Sequence, residues 1–126
     1  GMRDGKHVIL CIDDDQDVLD YLKMVLESGG YLVEQTCSAE EGLKKFKQET
    51  PDLIIVDLMM EEIDSGTSFV TEVRALGCKC PVYMLTSVGD DLNKSISGGE
   101  LGVTGIFQKP LSREKLLEIL GEKLRG

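Results

Sequence analysis

Four polar groups in this sequence carry side chains able to act together: Asp13-Asp14-Asp15, Asp57, Thr86-Ser87 and Lys109. Each stands where a short apolar run ends. Singly, each has an ordinary explanation. Aspartate is common at helix N-caps, and Asp15 fits that role. Threonine is common at strand ends and lysine on surfaces. Together they suggest more. Carboxylates gathered in one place repel, and a cation or a proton must relieve them. Hard oxygen ligands favour Mg²⁺, which takes one or two carboxylates, keeps several waters and leaves a place for a phosphate oxygen. A lysine adds a point charge for a phosphoryl group. The set asks for a phosphate and Mg²⁺. Phosphoryl transfer needs mainly positioning and charge neutralisation from a protein.

Such distant residues meet only if the fold brings them together. His7–Ile12 reads as a buried strand, and residues 16–28 place Val18, Leu19, Tyr21, Leu22, Val25 and Leu26 on one helical face, stopped by Gly29-Gly30. Tyr31–Cys37 reads as a second strand. Ser38 and Glu41 have capping-box spacing and open a helix to about Glu49, before Pro51. Leu53–Val56 is a strand apolar on both faces, ending at Asp57. Residues 67–76 form a helix with Phe69, Val70, Val73 and Leu76 inward, terminated by Gly77. Pro81–Leu85 and Thr104–Gln108 are further strands. Ser112 caps a last helix with Leu116, Leu117, Leu120 and Leu124 inward. In segment 89–100, Leu92 and Ile96 have helical spacing, but its serines and glycines predict only a short, loosely held helix.

Five strands alternating with five helices predict an α/β fold, a doubly wound parallel sheet with helices on both faces. The short solution is the flavodoxin-like order 2-1-3-4-5, whose switch point lies between strands 1 and 3. Ligands bind there, outside the carboxyl ends of the strands. All four polar groups fall at carboxyl ends.

A chain of 126 residues fits one domain, taken here as residues 1–126, with the opening Gly1-Met2 read as a tag remnant before a native start. No apolar run is long enough for a membrane span, no signal peptide is evident, and a cytoplasmic location is expected. The formal net charge of −9 argues against direct grip on nucleic acid, where affinity comes largely from Lys and Arg on phosphates. Cys11 and Cys37 sit in strand-like runs and read as small hydrophobes. Cys78 and Cys80 form a lone C-x-C; two sulfurs do not close a tetrahedral zinc site, and reduced thiols are the plain reading.

The run Ile9–Asp15, Asp57 after Leu53–Val56, Thr86-Ser87 and Lys109-Pro110 resemble the response-regulator receiver family of two-component phosphorelays, over residues 6–125. The resemblance implies a phosphoacceptor domain rather than a turnover enzyme, one that promotes only its own phosphorylation and dephosphorylation. Asp57 would take the phosphoryl group from a phosphohistidine of a sensor kinase or phosphotransfer protein. Asp14 and Asp57 would bind Mg²⁺ directly with the carbonyl of Met59, and Asp13 through a metal-bound water. Lys109, the Thr86 hydroxyl and the Ser87 amide would hold phosphoryl oxygens. Met59 and Val88 would flank the path of the hydrolytic water. The partners implied are the phosphodonor and an effector domain or downstream protein. A homodimer would use the face of segment 89–100, the fifth strand and the last helix.

The chain departs from the family at two places. After Asp57, Glu61 stands where proline is frequent, and Gly66 comes one residue late. Ile106 stands where the family commonly has an aromatic switch residue, and Phe107, one step along, should face the other side of its strand. Three rivals remain at this level. A flavin protein would need amide donors after strand 1, where three aspartates oppose an anion. A phosphatase of the haloacid-dehalogenase type would need Thr or Val where Asp17 stands. A binding-only pseudo-receiver would have no use for the full polar set.

Overall fold

The computed structural model describes residues 3–58, 65–87 and 103–124. In chain order the elements are β1 (Val8–Ile12), α1 (Gln16–Ser28), β2 (Leu32–Thr36), α2 (Ala39–Gln48), β3 (Leu53–Asp57), α3 (Ser65–Ala75), β4 (Val82–Thr86), β5 (Gly105–Gln108) and α4 (Arg113–Lys123). All strand pairs are parallel, and the order is β2-β1-β3-β4-β5, the doubly wound arrangement expected. Segment 89–100, read as a weak helix, lies outside the described residues.

Strand side chains alternate between two cores. Ile9, Cys11, Leu53, Ile55 and Leu85 face α1 and α4, meeting Leu19, Leu22, Leu26, Leu116 and Leu120. Leu10, Ile12, Ile54, Val56 and Met84 face α2 and α3, meeting Phe46, Phe69, Val70 and Val73. Central β3 is buried at every position, as its unbroken apolar run required.

Caps fix where the helices start. The Asp15 carboxylate accepts the Asp17 N–H at 2.9 Å, so Asp15 is the N-cap of α1. Ser38 and Ser112 accept the N–H groups of Glu41 and Lys115 at 3.2 and 3.3 Å. Gly42 lets α2 close on β1, because a Cβ there would run into the Ile12 side chain.

Three details differ from the sequence reading. α3 starts at Ser65, two residues earlier than expected. Leu76 is 55% exposed rather than inward. The helix ends at Ala75, Leu76 N–H still donates to Glu72 O at 3.0 Å, and Gly77, with φ of 93°, then turns the chain toward β4, so Leu76 lies on the last turn beyond the buried Val73. Cys37 is exposed rather than core-like, because it falls just beyond the end of edge strand β2.

Candidate functional site

The sheet order builds the site. β1 and β3 are neighbours, with Ile12 opposite Val56, so Asp13 and Asp57 emerge side by side. β4 continues the row, with Asp57 opposite Leu85, and Thr86 lies opposite Gln108 on β5. Backbone bonds hold the strand ends in place: Asp13 N–H donates to Thr36 O at 3.2 Å, Leu58 N–H to Leu85 O at 2.9 Å, and Lys109 N–H to Thr86 O at 2.7 Å. The Lys109–Pro110 peptide is cis.

Asp13, Asp57 and Thr86 are buried, whereas Asp14 and Ser87 are exposed. One carboxylate oxygen from each of Asp13, Asp14 and Asp57 lies within 4.8 Å of the other two. Lys109 Nζ sits 3.1 Å from Asp13 Oδ2 and 3.6 Å from Asp57 Oδ1. Asp13 Oδ1 accepts the Asp15 N–H at 2.9 Å. Oδ2 of Asp13 is buried and has no directed hydrogen bond among the described residues, its contact with Lys109 being an ion pair off hydrogen-bond geometry. Met59 and Val88 lie outside the described residues.

Among the described residues the electrostatics are unbalanced: three carboxylates gather, and the Lys109 ammonium pairs with two of them. Burial pushes the Asp13 carboxyl above the usual carboxylate range, and Asp14 adds to this; the Asp15 amide and Lys109 offset only part of it. Burial alone would lower the Lys109 ammonium, but Asp13 and Asp57 outweigh it and the net shift is upward. A carboxyl whose folded pKa is raised opposes folding once it ionises. The site thus holds a desolvated charge that a cation would relieve. Three carboxylates within mutual reach, one of them carrying a buried oxygen with no hydrogen bond among the described residues, fit a small divalent cation.

Sequence reasoning named the residues that meet here but missed their support. Tyr21 Oη donates to Leu111 O at 3.1 Å, tying α1 to the loop that follows Lys109. No local signal marks this, since Tyr21 reads as one more residue of an apolar helix face. The aromatic next to the expected switch position behaves as its parity requires. Ile106 is 41% exposed, and Phe107 is buried on the other side, stacked on Tyr83 with centroids 5.0 Å apart.

The sequence profile of the response regulator receiver domain matches residues 9–121. The alkaline phosphatase synthesis transcriptional regulatory protein PhoP of Bacillus subtilis is 36% identical over 104 residues, covering 82% of this chain and 42% of that protein. The chain spans about half the length of the curated relatives it matches. A CheY-like response regulator receiver domain protein from Methanospirillum hungatei superposes with a TM-score of 0.86 at 32% identity, covering 95% of this chain and 94% of that one. The chemotaxis protein CheY4 of Vibrio cholerae gives 0.84 at 30% identity, covering 94% and 99%. The chain belongs to the response regulator receiver domain family, the signalling domain of two-component systems. Among the described residues no helix is long and apolar enough to cross a membrane.

Proposed function

We propose that Asp57 accepts a phosphoryl group from a phosphohistidine of a sensor kinase or phosphotransfer protein. A carboxylate oxygen of Asp57 attacks phosphorus, the P–N bond breaks, and the imidazole leaves with the electron pair. The observation that carries this reading is the placement of Asp57: a buried carboxylate ending β3, beside Lys109 and within 4.8 Å of the other two acidic ligands. Asp14 and Asp57 would hold Mg²⁺ directly with the Met59 carbonyl, and Asp13 would hold it through a water. The cation supplies neutralisation of charge on the phosphoryl oxygens. Lys109 then exchanges its carboxylate partners for a phosphoryl oxygen, and the Thr86 hydroxyl and Ser87 amide donate to others. Hydrolysis of the acyl phosphate resets the domain, with Met59 and Val88 flanking the water. The phosphorylated state is read by an effector domain or a separate protein. The three acidic side chains speak against a flavin phosphate in this crevice.

The test is incubation with acetyl phosphate and Mg²⁺, read by intact mass. Addition of one phosphoryl group to the native chain and none to Asp57→Asn is expected. Equal labelling of both proteins would overturn the assignment.

A further inference from the structure

At the opposite end of β4 from Thr86, the turn from α3 brings two thiols together. Cys78 Sγ and Cys80 Sγ are 3.0 Å apart and share a hydrogen bond. Both are free thiols; Cys78 is buried and Cys80 is half-buried. Arg74, on the last turn of α3, holds the turn from one side. Its Nη1 donates to the carbonyls of Cys78 and Cys80 at 3.0 and 2.8 Å, and lies 3.7 Å from Cys78 Sγ. Two thiols already in contact need to close by only about 1 Å to reach a disulfide bond length. A turn built only to reverse the chain needs no such pairing of sulfurs.

We propose that Cys78 and Cys80 form a dithiol redox site, oxidised to an intramolecular disulfide by low-molecular-weight disulfides. Cys80, the more accessible, attacks one sulfur of the reagent as its thiolate; the reagent's S–S bond breaks and one thiol leaves with a proton. Cys78 then loses its proton and attacks the Cys80 sulfur, and the second reagent thiol leaves. The protein gives up two electrons and two protons, and the reagent takes up both. Burial first, and the bond with Cys78 next, push the Cys80 thiol up to about 12, against the pull of Arg74. Exchange is therefore slow at neutral pH, and the end state, not the rate, is the readout. This site is independent of the phosphoacceptor reading.

The experiment equilibrates the full chain in mixtures of oxidised and reduced glutathione, quenches with acid, and alkylates after denaturation. Intact mass and peptide mapping follow. Cys37 is exposed and can take up glutathione by itself, so the work is done in Cys37→Ser. Expected alkylation falls from three thiols to one across the series, with no glutathione retained on the protein, and a reductant reverses it. Cys78→Ser should instead trap one glutathione on Cys80. Three alkylatable thiols at the oxidised end, or a mixed disulfide on Cys80 that never closes while Cys78 is present, would overturn the proposal. The parent measurement decides the matter even if Cys78→Ser fails to fold.

Discussion

Two groups of ion pairs in this molecule have similar distances and opposite meanings. Beside edge strand β2, Arg3 pairs with Glu34 at 2.8 Å and with Glu49 at 3.2 Å, and Lys45 reaches Glu34 at 3.7 Å. At the carboxyl ends of the strands, Lys109 pairs with Asp13 at 3.1 Å and Asp57 at 3.6 Å. Ranked by distance, the β2 group contains the shortest contact. Ranked by environment, the order reverses. The β2 pairs are half-exposed, where water still screens the charges and pairing adds little. Asp13 and Asp57 are desolvated, and removing the Lys109 ammonium takes away the cation that both of them pair with among the described residues. The half-exposed pairs are optional, whereas the buried carboxylates depend on nearby positive charge.

The largest effect expected from this contrast comes from Lys109→Met. Without Mg²⁺ it should destabilise the fold by about 3 kcal/mol, the range seen when one partner of a buried pair is removed. Urea unfolding in a chelator measures it, and a loss near zero would break the contrast. Next is the response to metal. A ligand that binds only the folded state at a hundredfold excess over its Kd stabilises by about 2.7 kcal/mol. Thermal scans should show the native domain gaining Tm with Mg²⁺ and Asp14→Ala losing most of that gain. An equal gain in both proteins would remove Asp14 from the ligand set. The smallest effect belongs to Arg3→Ala, which should leave Tm within the scatter of replicate scans despite removing the shortest of these ion pairs. A drop like that of Lys109→Met would show that environment does not separate the two groups.

The sequence made the strand order and the meeting of Asp13, Asp14, Asp57, Thr86 and Lys109 readable for one reason. Parallel strands with helical crossovers put all carboxyl ends at one edge of the sheet, and apolar runs mark those ends clearly. What it hid depends on geometry between elements. The N-cap role of Asp15 was readable, but nothing in three consecutive aspartates says that Asp13 is sealed and Asp14 exposed; that follows from how β1 hands over to α1. Leu76 has the spacing of the buried α3 stripe, yet it sits on the last turn, past Val73, and is exposed. Cys37 looked like the continuation of a strand that stops one residue before it. Cys78 and Cys80 read as unremarkable thiols, because their separation is set by the turn and by Arg74.

The stacking of Tyr83 on Phe107 also has an optical consequence. The chain has no tryptophan and only three tyrosines. A ring signal in near-ultraviolet circular dichroism needs an asymmetric, immobile setting. Tyr83 has one: its ring lies against Gly105, where a Cβ would come within 2.7 Å, and against the Phe107 ring. It sits on the strand that ends at Thr86, at the junction of β4 with β5. The native protein therefore carries a label-free chiroptical reporter at that edge of the sheet, and Tyr83→Phe identifies its share of the spectrum.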